Sequence, residues 1–293
     1  MEAMSLENQG FLEVLKSGPG NTIQDEGRIQ WSHIGVPVSG PLDRISYAWV
    51  NNVLRNDSNS AALEIIQPGF QAIFHHPTWI AWAGAKVKVA INDQKLNSGQ
   101  IHFLKANDQI EFGSFELGQV LYLGVFGGFL TETILDSKSW YPKITCSYTL
   151  KRGQFLPFAK MTNFLSSSLA QAKWSTDWYQ TGILDFYPGP DYSLLTESNR
   201  WIIESEEFTI STSYSRMGVI LEETLSQTLP ELPTNPVFPG FVQLTNGGKL
   251  ILLGPDAQVT GGYPRVMILT EKAQAILAQK KPQQKLRFRK LAF

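Results

Sequence analysis

Cysteine is nearly absent from this chain of 293 residues, where Cys146 stands alone. A lone cysteine closes no internal disulfide and suits a reducing cytoplasm. Its neighbours Thr145 and Ser147 bring no histidine to activate the thiol, so Cys146 reads as structural rather than catalytic. A surplus of either charge is also missing. Lys and Arg number 25 against 26 Asp and Glu, and a net charge of −1 gives no reason to expect nucleic acid or an anionic membrane as partner. No apolar run approaches the length of a bilayer crossing, and the N-terminus lacks an apolar signal segment, so a cytoplasmic location is expected. Histidines are few: His33, His75, His76 and His102 do not combine with Cys, Asp or Glu at zinc-ligand spacing, and no metal is expected. A G-x-x-x-x-G-K-[ST] element is missing too, so the chain carries no P-loop of its own.

What is there is a series of short apolar runs separated by turn residues. Residues 11–15, 71–74, 79–82, 86–91, 109–112, 119–125, 208–210, 249–253 and 266–269 are rich in Val, Ile, Phe and Trp and short enough to be strands. Residues 86–92 alternate polar and apolar, which predicts one solvated face, and Asn92-Asp93-Gln94-Lys95 follows as a hairpin turn. Helices are few. Residues 43–54 place Ile45, Trp49 and Val53 near one face, behind Asp43 as N-cap. A second short helix is expected to open over 192–197, and a third over 271–279, ended by Lys280-Lys281-Pro282. Residues 156–171, polar and Ser-rich, read as a link between two halves, giving an N-terminal lobe over 11–160 and a C-terminal lobe over 161–293. Many strands with few helices predict a mainly β fold of barrels with a few short peripheral helices. The basic residues Lys280, Lys281, Lys285, Arg287, Arg289 and Lys290 near the C-terminus read as a solvated strand protected by charge against edge pairing; no aromatic stacking platform accompanies them.

Polar residues held between Gly and Pro mark the candidate chemistry. In Thr22-Ile23-Gln24-Asp25-Glu26-Gly27-Arg28, Asp25 can act as a general base, Arg28 can hold a carboxylate or phosphate through two N–H groups, and Gln24 can both donate and accept. An internal pair of Asp25 with Arg28 that only stabilises the turn is the competing reading. In Gly35-Val36-Pro37-Val38-Ser39-Gly40-Pro41-Leu42-Asp43, Ser39 can bind substrate, while Asp43 reads as a helix cap. Gly261-Gly262-Tyr263-Pro264 lets the backbone approach a ligand and aims a phenol from a rigid turn; a buried corner tyrosine is its alternative. Asp256 and Gln258 are near enough to share that pocket, and Arg216 is the best candidate for an anion contact in the second half. One site for all of these requires segments from both halves to converge.

The same segments carry a resemblance. The 22–28 and 35–43 motifs, Asn51-Asn52-Val53-Leu54 with Ala61-Ala62-Leu63-Glu64, Gly127-Gly128-Phe129, Ser215-Arg216-Met217-Gly218 and the 256–264 segment occur in the order found in the allophanate hydrolase subunit 2 family. That family includes the C-type subunit of 5-oxoprolinase, an antagonist of a sporulation-kinase inhibitor, and one half of the urea carboxylase carboxyltransferase domain. The chain resembles a divergent member: Leu135-Asp136-Ser137-Lys138-Ser139-Trp140 replaces the usual Leu-Gly-Ser-Arg-Ser-Thr, Ser215 an Asp, Ile220 an Arg and Val259 a Thr. Arg to Lys is not conservative where a planar fork holds a carboxylate, and Arg to Ile removes a charge.

The resemblance implies two tandem cyclophilin-like β-barrel lobes. It implies the C-type member of an ATP-dependent 5-oxoprolinase complex, opening the cyclic amide pyroglutamate to glutamate with a subunit-B-like protein and a third subunit. Asp25 would then manage a proton, Arg28 and Tyr263 would stabilise developing negative charge, and Gln24, Ser39, Arg216, Asp256, Gln258, Gly261 and Gly262 would bind substrate. ATP would be consumed by the complex rather than bound by a P-loop of this chain. Two alternatives stand beside it: half of a biotin-dependent carboxyltransferase acting on urea or a related amide, with biotin carried by a separate protein, and a non-catalytic regulatory subunit.

Overall fold

Strands, several of them alternating buried and more exposed side chains, make up most of the regular structure. The computed structural model describes residues 9–96, 100–160, 173–227 and 229–292. They fall into two units, one of Met1–Gly27 with Arg44–Thr176 and one of Arg28–Asp43 with Asp177–Phe293. The Gly/Pro-rich 35–43 motif is therefore part of the second unit, although it precedes most of the first in sequence. Of the expected link over 156–171, the stretch from 161 lies outside the described residues, while Phe155–Ala159 is a strand.

The described residues of the first unit form one antiparallel sheet of nine strands. Along it run Thr22–Gln24, Ala62–Ile65, Asp108–Val125, Gln71–Phe74, Gln9–Lys16 and Phe155–Ala159. Thr78–Ile91 pairs with Asp108–Val125, and also with Gln94–Leu96 and His102–Leu104. Leu12, Val14, Phe70, Phe74, Trp82, Phe112 and Phe158 meet in its core. The separate strands expected at 79–82 and 86–91, and at 109–112 and 119–125, are two continuous strands instead. Register shifts between Gly84 and Val89 bend Thr78–Ile91, so its alternation breaks without the strand ending. At the hairpin, Asn92 and Asp93 take φ of 47° and 65°, the doubly left-handed geometry that matches strand twist.

Helix Arg44–Val53 buries Ser46, Tyr47, Val50 and Asn51, not the expected Ile45, Trp49 and Val53 face. Hydrogen bonding decides the rotation. Asn51 Nδ2 donates to Ser60 O at 2.9 Å, and Tyr47 Oη donates to Ser58 O and Ser60 O at 2.9 Å each, so polar side chains turn inward to satisfy a loop.

The second unit is a closed barrel: Ile183–Pro188, Arg265–Leu269, Phe241–Leu244, Lys249–Leu253, Gly218–Thr224, Phe208–Ser215 and Lys285–Lys290, the last returning to the first. The basic C-terminal strand is therefore not an edge. It pairs parallel with Ile183–Pro188 and antiparallel with Phe208–Ser215. Leu286 and Phe288 point in, Phe288 against Phe186 and Phe208, while Arg289 pairs with Asp185 and Lys285 and Arg287 with Glu207. The Arg289 guanidinium holds the Asp185 carboxyl below its ordinary range. From 285 to 290 the basic run is thus the outer face of a closing strand, and its cations are matched by acids. Lys280 is not solvated as expected: it is buried, and its Nζ donates to Tyr179 O at 3.0 Å and Gln180 O at 3.2 Å.

Residues 192–194 form a 3-10 turn rather than the start of an α-helix; the helix is Glu197–Ser205, capped by Thr196, whose side chain accepts from Asn199 N. Thr270 caps Glu271–Ala278 in the same way. No helix among the described residues is long and apolar enough to cross a membrane.

Gly84 is the fold's most exacting position in the first unit. Its φ is 116°, and a Cβ there would lie 2.2 Å from Val120 O. Gly84→Ala is expected to cost about 3 kcal/mol or more, because no flexible side chain can yield to the methyl. Denaturant unfolding checks this, and an unchanged midpoint would contradict the bulge geometry.

Candidate functional site

The 22–25 motif of the first unit is held by a segment more than a hundred residues away. Asp25 is 1% exposed. Its Oδ1 accepts from Ser137 Oγ at 2.5 Å, Ser139 Oγ at 2.7 Å and Gly27 N at 3.0 Å; Oδ2 accepts from Lys138 N at 2.5 Å. Gln24, fully buried, donates through Nε2 to Thr22 Oγ1 at 3.0 Å and Trp140 O at 3.4 Å. The serines of Leu135-Asp136-Ser137-Lys138-Ser139-Trp140 are therefore the partners of Asp25, and Lys138 gives the carboxylate its backbone N–H. Leu135 and Asp136 turn the chain at φ of 53° and 62° to present them. Four donors saturate the carboxylate, and the geometry is that of an anchor for the loop. Nearby, the hydroxyl of Tyr47 is pushed far above its ordinary range by burial first, then by the Asp25 and Glu26 charges. A buried carboxylate that the motifs did not single out for chemistry, Glu64, accepts from Tyr122 Oη at 2.5 Å.

In the second unit a second polar cluster forms around Arg216. Its Nε donates to Asp256 Oδ2 at 2.8 Å, and its Nη2 donates to Asp256 Oδ1 at 3.0 Å and to Gly40 O at 2.7 Å. Asp256 N donates back to Arg216 O at 3.0 Å, and Ser39 N donates to Pro255 O at 2.8 Å. The clamp therefore ties the 215–218 turn, the 254–256 turn and the 39–40 loop into one piece. Arg216, the expected anion contact, spends its fork on this clamp. Arg28 is 1% exposed, and its N–H donates to Val38 O at 2.6 Å. Ser39 is fully buried at φ 60°, with no hydrogen-bond partner for its Oγ among the described residues. Asp43 is buried, and its Oδ2 accepts from Gln279 Nε2 at 2.7 Å.

The cavity lies on the barrel of the same unit and measures about 400 Å³. Ile220, Ile251, Leu253 and Met217 supply its apolar wall, and Gln243, Gln258 and Tyr263 its principal polar groups, with Thr212, Ser213 and Ser215 also in the lining. None of the lining residues is charged. The structure thus gathers Gln258 and Tyr263 on one cavity and Ser39, Arg216 and Asp256 in one clamp, and keeps Gln24 and Asp25 in the other unit. Tyr263 is half-buried. Two of the divergent positions, Ser215 and Ile220, are cavity residues.

Gln243 is the residue that the motifs missed. It is 1% exposed, and a Cβ on Gly261 would lie 2.8 Å from its Nε2. Gly261 leaves room for this amide; a Cβ on Gly262 would meet Leu232 O at 3.1 Å. The available signal was a single Gln in an otherwise apolar strand, Phe241–Leu244.

Elsewhere, His75 Nε2 pairs with Glu13 Oε2 at 2.9 Å, and His76 Nδ1 accepts from Phe11 N at 3.3 Å. No group of three or more His, Cys, Asp or Glu among the described residues is placed to hold a metal. Cys146 is exposed, so it is not a packed core residue.

Residues 34–290 match the family described as carboxyltransferase domain, subdomain A and B. The chain is 28% identical over 277 residues to the C-type 5-oxoprolinase subunit of Escherichia coli, covering 92% of this chain and 87% of that one. It is 31% identical over 130 residues to urea amidolyase of Lachancea kluyveri, covering 44% of this chain and 7% of that one. The solved urea carboxylase of Kluyveromyces lactis superposes with a TM-score of 0.84 at 24% identity, over 97% of this chain and 28% of that one. Another solved chain with a TM-score of 0.84 is covered over 56% of its length, so this chain spans about half or less of these solved structures.

Asp25→Ala would strip the acceptor from two hydroxyls and two backbone N–H groups in a site closed to water. A loss of about 3 kcal/mol or more is expected, against about 1–2 kcal/mol for Ser137→Ala, which removes one donor to Asp25 and the acceptor of Ser139 N. Urea unfolding of both variants tests the ordering; equal losses would show that Asp25 is not the hub.

Proposed function

The chain belongs to the carboxyltransferase domain A and B family, and from that premise we propose that it is the C-type subunit of an ATP-dependent 5-oxoprolinase complex, which opens pyroglutamate to glutamate together with a subunit-B-like protein and a third subunit. The observation that carries this reading is the uncharged, amide-lined cavity of the second unit, in a chain that matches the C-type 5-oxoprolinase subunit over 92% of its length.

An amide resists opening because resonance holds its C–N bond planar. A catalyst gains most by stabilising the charge that develops on the amide oxygen as the carbon is attacked. Tyr263, half exposed on the cavity wall, is the residue assigned to that oxygen. In this reading Asp25 sets the loop geometry of the first unit, and the Arg216–Asp256 clamp sets the turn beside the cavity. The cavity does not fit ATP: its lining holds no Lys or Arg to meet a triphosphate. This cavity is therefore assigned to the amide and not to the nucleotide, and ATP is consumed by the complex as a whole.

A second reading, half of a biotin-dependent carboxyltransferase acting on urea, is favoured by the same uncharged lining, since urea is neutral. A biotin carboxylase that co-purifies with the chain would support it.

The decisive measurement is glutamate release from pyroglutamate by the chain reconstituted with its two partners. ATP-dependent release is expected, and Tyr263→Phe should lower kcat about 10- to 1000-fold while leaving assembly intact. An assembled complex that releases no glutamate would overturn the proposal.

A further inference from the structure

The side chain of Gln243 sets a problem that the cavity answers. Gln243 is 1% exposed and lies in the strand Phe241–Leu244, in a position where apolar side chains fill the barrel. Its amide makes one hydrogen bond, from Nε2 to Tyr263 O at 3.2 Å. That bond fixes the orientation of the amide, because a backbone carbonyl can only accept. Oε1 is left as an acceptor with no hydrogen-bond partner among the described residues. Oε1 is not sealed from water, so it is an acceptor that a ligand entering the cavity can reach. Gln243 lines the 400 Å³ cavity, and the walls around it are Ile220, Ile251 and Leu253.

We propose that Gln243 is the specificity-determining residue of this cavity, where its Oε1 accepts the N–H of an uncharged cyclic amide whose ring packs against Ile220, Ile251 and Leu253. The inference rests on the functional reading above and deepens it. An acceptor selects a ligand that donates, and an uncharged wall selects a ring without a charge of its own at that depth. A carboxylate on the ring would have to stay at the exposed Thr212 and Ser213 rim, where water solvates it. Gly261 serves the same end, since a Cβ there would push on Nε2 and swing Oε1 away from its aim.

The N–H donor could belong to a lactam or to a cyclic urea, so the test uses both. Titrations of the isotope-labelled full chain with 2-pyrrolidinone, N-methyl-2-pyrrolidinone and 2-imidazolidinone are followed by NMR, including the side-chain amide signals of Gln243. The wild-type protein is expected to bind 2-pyrrolidinone about tenfold tighter than its N-methyl analogue, which keeps the ring and loses the donor. Gln243→Leu should erase that preference, and Gly261→Ala should weaken it. Tighter binding of 2-imidazolidinone than of 2-pyrrolidinone would assign the site to a cyclic urea, and the reverse to a lactam; both keep the role of Gln243. Equal binding of the methylated and unmethylated lactams by the wild-type protein would overturn the proposal, as would undiminished preference in a folded Gln243→Leu. The wild-type comparison needs no variant to fold. N–H selectivity in a chain whose complex releases no glutamate would strike only the functional reading, whereas release without selectivity would strike only the role of Gln243.

Discussion

A polar atom removed from water must find a partner inside the protein, and this constraint shapes the molecule more than any single apolar contact. Asp25 is removed from water almost completely and recovers four donors, three of them from a segment more than a hundred residues later. Arg216 is met by a carboxylate and a carbonyl. Tyr47 and Asn51 turn a helix so that loop carbonyls are answered. In each case a motif of polar residues is fastened by bonds that close a loop on a rigid barrel or sheet. The constraint also sorts the candidates. A group whose valences are filled inside the chain holds the scaffold, and a group with a valence left over at a cavity is available to a ligand.

The fold class was open to reading because strands declare themselves locally. Gln9–Lys16 and Lys285–Lys290 alternate buried and exposed side chains as written, and the turn at Asn92-Asp93 is specified by two residues. What stayed hidden was continuity. The break in alternation near Gly84 looks like the end of a strand, yet the chain bends through it and keeps pairing. The C-terminal strand misled for a related reason. Charges on every second residue mark an exposed face, which an edge strand and a barrel strand share, and only the partners on both sides distinguish them.

The candidate site was legible in part. Its glycines, Tyr263 and Gln258 stand out because turn residues and aromatics are conspicuous in a short window. The grouping did not stand out, because it depends on bonds across large sequence separations: Asp25 with Ser137 and Ser139, Gly40 with Arg216. No local pattern encodes such pairs. Arg28 and Ser39 were read with the first half by proximity in sequence, whereas the 28–43 segment folds with the second unit. Gln243 was hidden by its neighbours, since one polar residue in Phe-Val-Gln-Leu barely disturbs an apolar strand.

The divergent positions gain a physical meaning from this arrangement. At 138 the chain supplies a backbone N–H to Asp25, so exchanging one cationic side chain for another leaves that bond unaltered. At 220 the side chain is a cavity wall, and an isoleucine there makes the wall apolar. The two substitutions therefore differ in kind: one occurs where the backbone does the bonding, the other where the side chain itself faces the space a ligand would occupy. A cation removed from an uncharged cavity leaves no carboxylate unpaired among its lining residues, because none is there. The cavity is thus self-consistent as it stands, with an apolar body, two phenols, two amides and three aliphatic hydroxyls, and recognition in it falls to hydrogen bonds between neutral groups. Such bonds discriminate by direction, donor against acceptor, rather than by charge. That places the burden of selectivity on the one amide whose orientation the backbone fixes.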